Sequence, residues 1–327
     1  MQRIVPLTKK QATMPNLDCG RFAHILKQQR KHCMSAEGTH RKTKTASESR
    51  IARVSPTAFG VAYFRTFTDI PFSLEFFNEL RGGRGLEEIN NIAEATGGRE
   101  STPMFEARYK MINQLLQEQG TNQILEIAAG FSPRGLIMSQ NPQTKYVELD
   151  LPSVINDKEE FARKLESQGK INLGKNLRLV KGNALDEKDI LSAIESFDLQ
   201  PVTVLHEGLL RYLSRAEQRV LAQNIKRVLE IYGGIWITPD VIIRETGSTS
   251  NTQEQIQKNA VLVGINTEAN LFENWEEAES FFTEQGFQIE THDFNELREP
   301  LLSPGKLGLS QEDVRNALRR KVFIMKL

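Results

Sequence analysis

Two short segments hold the residue types and spacing that could do chemistry. The first is Gln123-Ile-Leu-Glu-Ile-Ala-Ala-Gly-Phe-Ser-Pro133, an apolar run that ends in small residues. It reads as a buried strand turning into a helix. The second is Lys145-Tyr-Val-Glu-Leu-Asp-Leu-Pro152, a strand that ends in the acids Glu148 and Asp150. Gly130 and Asp150 are twenty residues apart. At that spacing a β-α-β unit brings a carboxylate beside the turn after its first strand, where it can accept hydrogen bonds from ribose hydroxyls. An adenosine-containing cofactor is the expected ligand. Ala128, Ala129 and Gly130 have little or no side chain, so backbone can approach that ligand closely. Ala128 suits the turn only if its φ stays negative. The helix that follows should offer free N–H groups and its positive dipole end. Glu148 lies on the same strand face as Asp150, so only one of the two need touch the ligand.

Strands and helices alternate from residue 123. Strands are expected at 123–127, 144–149, 177–181, 202–206 and 234–238, and helices at about 133–140, 153–167, 187–196 and 214–231. This pattern predicts an α/β fold with a mostly parallel sheet covered on both faces. Two final strands, 287–291 and 321–327, flank a helix at about 310–320. Residues 51–120 read as a helical cap, with loop Arg81–Gly85 and a long helix from about Pro103 to Gln119. The remaining 121–327 form the ligand-binding domain. Its polar, irregular insertion at about 244–272 should overhang the carboxyl ends of the strands, the edge where ligands bind in such sheets.

Residues 1–50 carry eleven Lys/Arg against three Asp/Glu, although the 327-residue chain as a whole is neutral. The stretch reads as a basic, disordered tail; a transit peptide or an arm for RNA or anionic lipid are the alternatives. No nucleic-acid partner is expected elsewhere. Cys19 and Cys33 have no metal-ligand spacing, no metal site is expected, and two cysteines fit a reducing, cytoplasmic setting. No apolar run reaches membrane-spanning length, so no membrane partner is expected. Oligomeric state is left open.

Four segments in this order resemble the leucine carboxyl methyltransferase family of class I S-adenosylmethionine (SAM)-dependent methyltransferases, which also contains polyketide O-methyltransferases. They are Phe105-Glu-Ala-Arg-Tyr109, Leu125-Glu-Ile-Ala-Ala-Gly130, Tyr146-Val-Glu-Leu-Asp-Leu-Pro152 and His206-Glu-Gly-Leu-Leu-Arg-Tyr212. The resemblance covers about 55–327. It implies a seven-stranded, mostly parallel Rossmann-like sheet, SAM as cofactor, and O-methylation of a carboxylate or hydroxyl on a small molecule or a protein terminus. It also implies roles. Arg108 holds the methionine carboxylate, and Ala128, Ala129 and Gly130 form the turn beneath the cofactor. Asp150 holds the ribose, Asn183 and Ala184 meet adenine, and Glu207 faces the charged methionine end. Ala128 and Ser132 stand where the family usually has glycine.

Arg211 and Tyr212, one turn beyond Glu207, are acceptor-side candidates, as is the insertion; Tyr63 and Arg65 are weighed as acceptor contacts too, but core packing for Tyr63 and surface charge for Arg65 are the favoured readings. His206 should point away from Glu207 and reads as structural. No His–Asp pair is evident at the relevant edge, which favours an acceptor that needs no base. Two other readings remain open at this point. One is a nicotinamide-dependent oxidoreductase, which would want a G-x-G-x-x-G turn. The other is a non-catalytic binding or adaptor protein on the same fold.

Overall fold

The structure is a computed structural model and describes residues 56–82, 84–244 and 267–327. These belong to one compact unit, Thr45–Leu327. The basic tail expected at 1–50, and most of the insertion expected at 244–272, lie outside the described residues.

Seven strands form one sheet in the order β3-β2-β1-β4-β5-β7-β6. They are β1 Gln123–Ile127, β2 Lys145–Asp150, β3 Leu177–Lys181, β4 Val202–His206, β5 Gly234–Thr238, β6 Gln288–Asp293 and β7 Lys321–Lys326. The first five are mutually parallel where they pair, and β7 runs antiparallel between β5 and β6. The order reverses between β1 and β4, whose carboxyl ends therefore open the crevice where such sheets bind ligands. β1 and β4 are buried at every position, as expected for central strands covered on both faces.

One face packs against α7 Glu187–Ala193, α8 Arg215–Tyr232 and α9 Trp275–Glu284, through Ile190, Leu221, Ile225 and Phe282. The other face packs against α4 Thr102–Gln119, through Met111, Ile112 and Leu115. On the same side α5 Arg134–Met138 and α6 Pro152–Ser167 contribute Leu136, Phe161 and Leu165. Before α4 come α1 Pro56–Arg65, α2 Ser73–Arg81 and α3 Leu86–Ala95, joined by Phe59, Phe77, Leu80 and Ile89. The C-terminal part adds α10 Ser303–Leu307 and α11 Gln311–Ala317. Glu106 of α4 accepts the backbone N–H of Leu302 and Ser303, which fixes the start of α10 against the long helix.

Two helices escape the sequence reading: the short α10, and α9 with its Asn274 cap on the Glu277 N–H. The helix after β1 is also shorter than expected, five residues instead of eight.

Hydrophobic periodicity does not account for Glu148. It is fully buried in β2, facing the equally buried Lys158 of α6 as a contact ion pair, without the angular alignment of a hydrogen bond. The Glu148 carboxylate lies against Gly135 so closely that a Cβ there would collide with it. Burial, against the pull of Lys158, pushes the Glu148 carboxyl up to about 7. A carboxyl raised in the folded state binds its proton more tightly there than in the unfolded chain. Its contribution therefore favours folding at the low end of the window from 4.5 to about 7 and is lost as pH rises through it. Lys158→Met should cost about 3 kcal/mol or more at pH 8, where an unpaired carboxylate is left buried, and distinctly less at pH 5. Urea denaturation at both pH values checks this; an equal loss at both would contradict it.

Candidate active site

The turn after β1 is built by two residues in the left-handed region, Ala128 at φ 51° and Gly130 at φ 49°. The expectation of a negative φ at Ala128 is therefore corrected. The Ala128 N–H donates to the Leu149 carbonyl at 2.8 Å, so pairing with β2 holds the residue in this conformation despite its Cβ. Asp150 closes the turn from the β2 side. Its Oδ2 accepts the Gly130 N–H at 2.7 Å, and its Oδ1 accepts the Leu151 N–H at 2.7 Å. Burial raises the Asp150 carboxyl, and those two N–H groups counter it. Leu151 is the cap residue of α6. The five-residue α5 carries little dipole, and its Arg134 N–H already donates to Ser132 Oγ, so the expected helix-end contribution is small.

A cavity of about 680 Å³ extends from this turn across the carboxyl ends of β1 and β4, within the usual range for small-molecule sites. All eight residues expected to hold the cofactor line it: Arg108, Ala128, Ala129, Gly130, Asp150, Asn183, Ala184 and Glu207. So do Arg211 and Tyr212. Asn183 Oδ1 accepts the Leu185 N–H at 3.0 Å, so one of its lone pairs is spent on the local turn.

Glu207 is the most heavily bonded of these residues. Its Oε1 accepts from Arg65 Nη2 at 2.7 Å and Arg108 Nε at 3.0 Å, and its Oε2 from Arg134 Nη2 at 2.9 Å. Burial would raise this carboxyl, but the charges of Arg108, Arg65 and Arg134 outweigh it and hold it far below the usual carboxylate range. Glu207 thus serves as the counter-ion of three guanidiniums from α1, α4 and α5. Because Arg108 meets it through Nε, the forked end of the guanidinium is directed elsewhere, as bidentate capture of a carboxylate requires. Arg134 is fully buried and also donates to Glu126 Oε1 at 2.6 Å and Asn113 Oδ1 at 2.9 Å. Tyr146 donates to Glu126 Oε2 at 2.7 Å.

Further differences from the sequence reading concern the acceptor side. Arg65 lines the cavity but is one of the three guanidiniums held by Glu207. Tyr63 packs among Phe64, Phe67 and Phe77 and is not part of the cavity wall. Tyr212 donates to Thr57 Oγ1 at 2.8 Å, tying the wall to α1. A His–Asp pair does exist: His206 Nδ1 lies 2.9 Å from Asp240 Oδ2. His206 is fully buried and does not line the cavity, so its reading as structural stands, while Asp240 does line it. Sequence reasoning missed Glu126, Arg134 and Asp240. An acid inside the apolar run of β1 and an arginine directly after Pro133 were the available signals.

Two outcomes follow from this geometry. Ala128→Gly should raise stability by about 1 kcal/mol by removing the left-handed strain, seen as a higher denaturation midpoint; an unchanged or lower midpoint would contradict it. Glu207→Gln removes a depressed carboxyl, whose stabilisation is fully present above its unfolded value near 4.5 and declines as pH falls below it. The stability gap between wild type and variant should be widest at neutral pH and narrow steadily in acid. A gap independent of pH would show that the carboxylate charge is not what matters.

The model of the family described as leucine carboxyl methyltransferase matches residues 74–226. A comparison with curated proteins gives no match. Among solved structures, a DUF574 family protein from Streptomyces avermitilis is similar in fold, with TM-score 0.53, 17% identity, and coverage of 83% of this chain and 96% of that one. An O-methyltransferase family protein from Burkholderia thailandensis aligns at TM-score 0.45 and 13% identity, covering 94% and 83% of the two chains. Human N-acetylserotonin methyltransferase in complex with SAM aligns at 0.42 and 12%, covering 86% and 69%. The family match, the strand order and the turn closed by Asp150 agree: the chain is a class I SAM-dependent methyltransferase, similar to the leucine carboxyl methyltransferase family.

Proposed function

We propose that the chain transfers a methyl group from SAM to a carboxylate oxygen of its acceptor. The family match supports this reading over the oxidoreductase and adaptor alternatives. The cavity fits the cofactor: it has a small-residue turn for close backbone approach, a carboxylate at the ribose position and an arginine fork at the far end. When bound, SAM supplies an activated methyl group on a sulfonium. In this reading Asp150 accepts from the ribose hydroxyls, Arg108 holds the methionine carboxylate, and the Asn183–Ala184 segment borders adenine.

One observation carries the choice of acceptor. Every carboxylate among the described residues of the cavity wall is already committed. Asp150 accepts two backbone N–H groups, and Glu207 three guanidiniums. Glu126 accepts from Arg134 and Tyr146, and Asp240 from His206 and two N–H groups. No histidine or lysine is among the described lining residues. No group is poised to take a proton, so the acceptor should arrive ionised, as a carboxylate does at neutral pH. Four arginines on the wall, Arg65, Arg108, Arg211 and Arg320, favour an anion. Burial and the neighbouring Arg211 and Arg108 lower Arg320 to about 10, which leaves it a cation at neutral pH. The protein's part is then alignment and exclusion of water.

Calorimetric titration with SAM and, separately, NADH tests the cofactor. Binding of SAM alone, lost in a folded Asp150→Ala variant, is expected; unchanged affinity in that variant would remove the ribose assignment. A screen of carboxylic acids against phenols at pH 6 to 9 tests the acceptor. Turnover of acids with a flat pH profile is expected, and turnover of phenols alone, rising with pH, would overturn the carboxylate assignment.

A further inference from the structure

His206 and Asp240 form a buried pair that the proposed chemistry does not use. Asp240 follows β5, and its carboxylate reaches back to the chain leaving β4. Oδ1 accepts the Gly208 N–H at 2.7 Å, and Oδ2 accepts the Leu209 N–H at 2.7 Å together with His206 Nδ1 at 2.9 Å. The Asp240 N–H donates to Thr238 Oγ1 at 3.1 Å, and that hydroxyl lies 3.3 Å from His206 Nδ1. An ionised carboxylate only accepts, so the network assigns the hydrogen to Nδ1. This is the tautomer of a catalytic dyad. The other ring nitrogen rules that role out: among the described residues Nε2 is buried without a hydrogen-bond partner, the imidazole is fully buried with its ring 5.6 Å from Trp236, and it does not line the cavity.

The two N–H groups held by Asp240 directly follow Glu207. Gly208 turns the chain at φ 84°, so the path of the backbone at this point decides where the Glu207 carboxylate sits. Glu207 in turn orients Arg108 and Arg65. We propose that His206 and Asp240 are positioning residues that fix the Glu207–Tyr212 segment and thereby set how tightly the amino-acid end of the cofactor, as distinct from its nucleoside end, is held. The inference rests on the SAM reading above. It adds to that reading a specific division: Asp150 and the β1 turn serve the nucleoside, and the His206–Asp240 pair serves the methionine end through Glu207 and Arg108.

The test compares two probes by calorimetry on the full chain: SAM, and methylthioadenosine, which has the same nucleoside but lacks the amino and carboxylate groups. His206→Leu removes the donor to Asp240, and His206→Asn keeps an amide N–H near the Nδ1 position. Asp240→Asn retains the shape with one fewer acceptor. His206→Leu and Asp240→Asn should weaken SAM by about tenfold, the scale of a lost charge-assisted hydrogen bond, with methylthioadenosine affinity unchanged and with His206→Asn close to wild type. Equal weakening of both probes would show a general structural role and overturn the inference. So would wild-type SAM affinity in His206→Leu, or failure of His206→Asn to restore it. A wild-type chain that binds methylthioadenosine but not SAM would overturn the methionine-end assignment itself, and one that binds neither would overturn the cofactor reading; both are distinct from failure of the positioning pair.

Discussion

The structure depends on a fully buried guanidinium. Arg134 sits without solvent contact between Glu126 on β1 and Glu207 beyond β4. Taking such a charge out of water costs several kcal/mol unless its partners are all in place. They come from separate parts of the chain: β1, the β4 exit and, through Asn113, α4. Arg65 and Arg108 add α1 and α4 to the same carboxylate. The core and the cavity wall are therefore one assembly. The sheet cannot bury Arg134 without Glu207 in its observed place, and Glu207 cannot be there without gathering the arginines of the helices that precede the sheet.

The same arrangement recurs along the carboxyl edge of the sheet. Three neighbouring strands each bury one ionisable residue that their apolar pattern does not call for: Glu126 in β1, Glu148 in β2 and His206 in β4. Each is met by a partner from outside its own strand, Arg134, Lys158 and Asp240 respectively. Buried pairs of this kind add little net stability compared with apolar packing, and their better-attested contribution is to fix geometry. Here each pair fixes a connection that borders the ligand crevice. Glu126–Arg134 fixes the helix after β1, Glu148–Lys158 the helix after β2, and His206–Asp240 the loops after β4 and β5. Ala128 fits the same logic, because its left-handed backbone persists only where the surrounding contacts over-determine it.

The sequence exposes the cavity-lining residues better than the ties beneath them, for a physical reason. Ala128–Gly130 and Asp150 are signals of type and spacing: small residues at a strand end, and a carboxylate one β-α-β unit later. The strand order is similarly legible, since apolar runs separated by helical stretches leave few ways to build a parallel sheet. The ties are different. Asp240 lies 34 residues beyond His206, and Glu207 lies 73 beyond Arg134, so no local pattern links them. Within a strand, a single Glu or His looks like an interruption of the hydrophobic run. Its meaning emerges only from the requirement that a buried charge have a partner. The same blindness hid α9, whose cap Asn274 and first-turn acids Glu276 and Glu277 are local signals but follow a polar stretch that offered no strand to anchor it.

This requirement also bears on how the cavity would serve a carboxylate acceptor. Attack of an anion on a sulfonium consumes both charges, so the transition state is less polar than the separated reactants. Strong hydrogen bonds to the attacking oxygen would hold the ground state more firmly than the transition state. Arginines bound directly to that oxygen would therefore slow the reaction. The structure keeps its cations otherwise engaged: Arg65, Arg108 and Arg134 share Glu207, and Asp240 lies close enough to Arg108 to feel its charge. The same wall also carries an apolar stretch, with Val61, Ala62, Met104, Phe105 and Ile242 lining the cavity. Such a wall strips water from the acceptor's carboxylate, while cations with committed partners attract it into the cavity without clamping the oxygen that reacts.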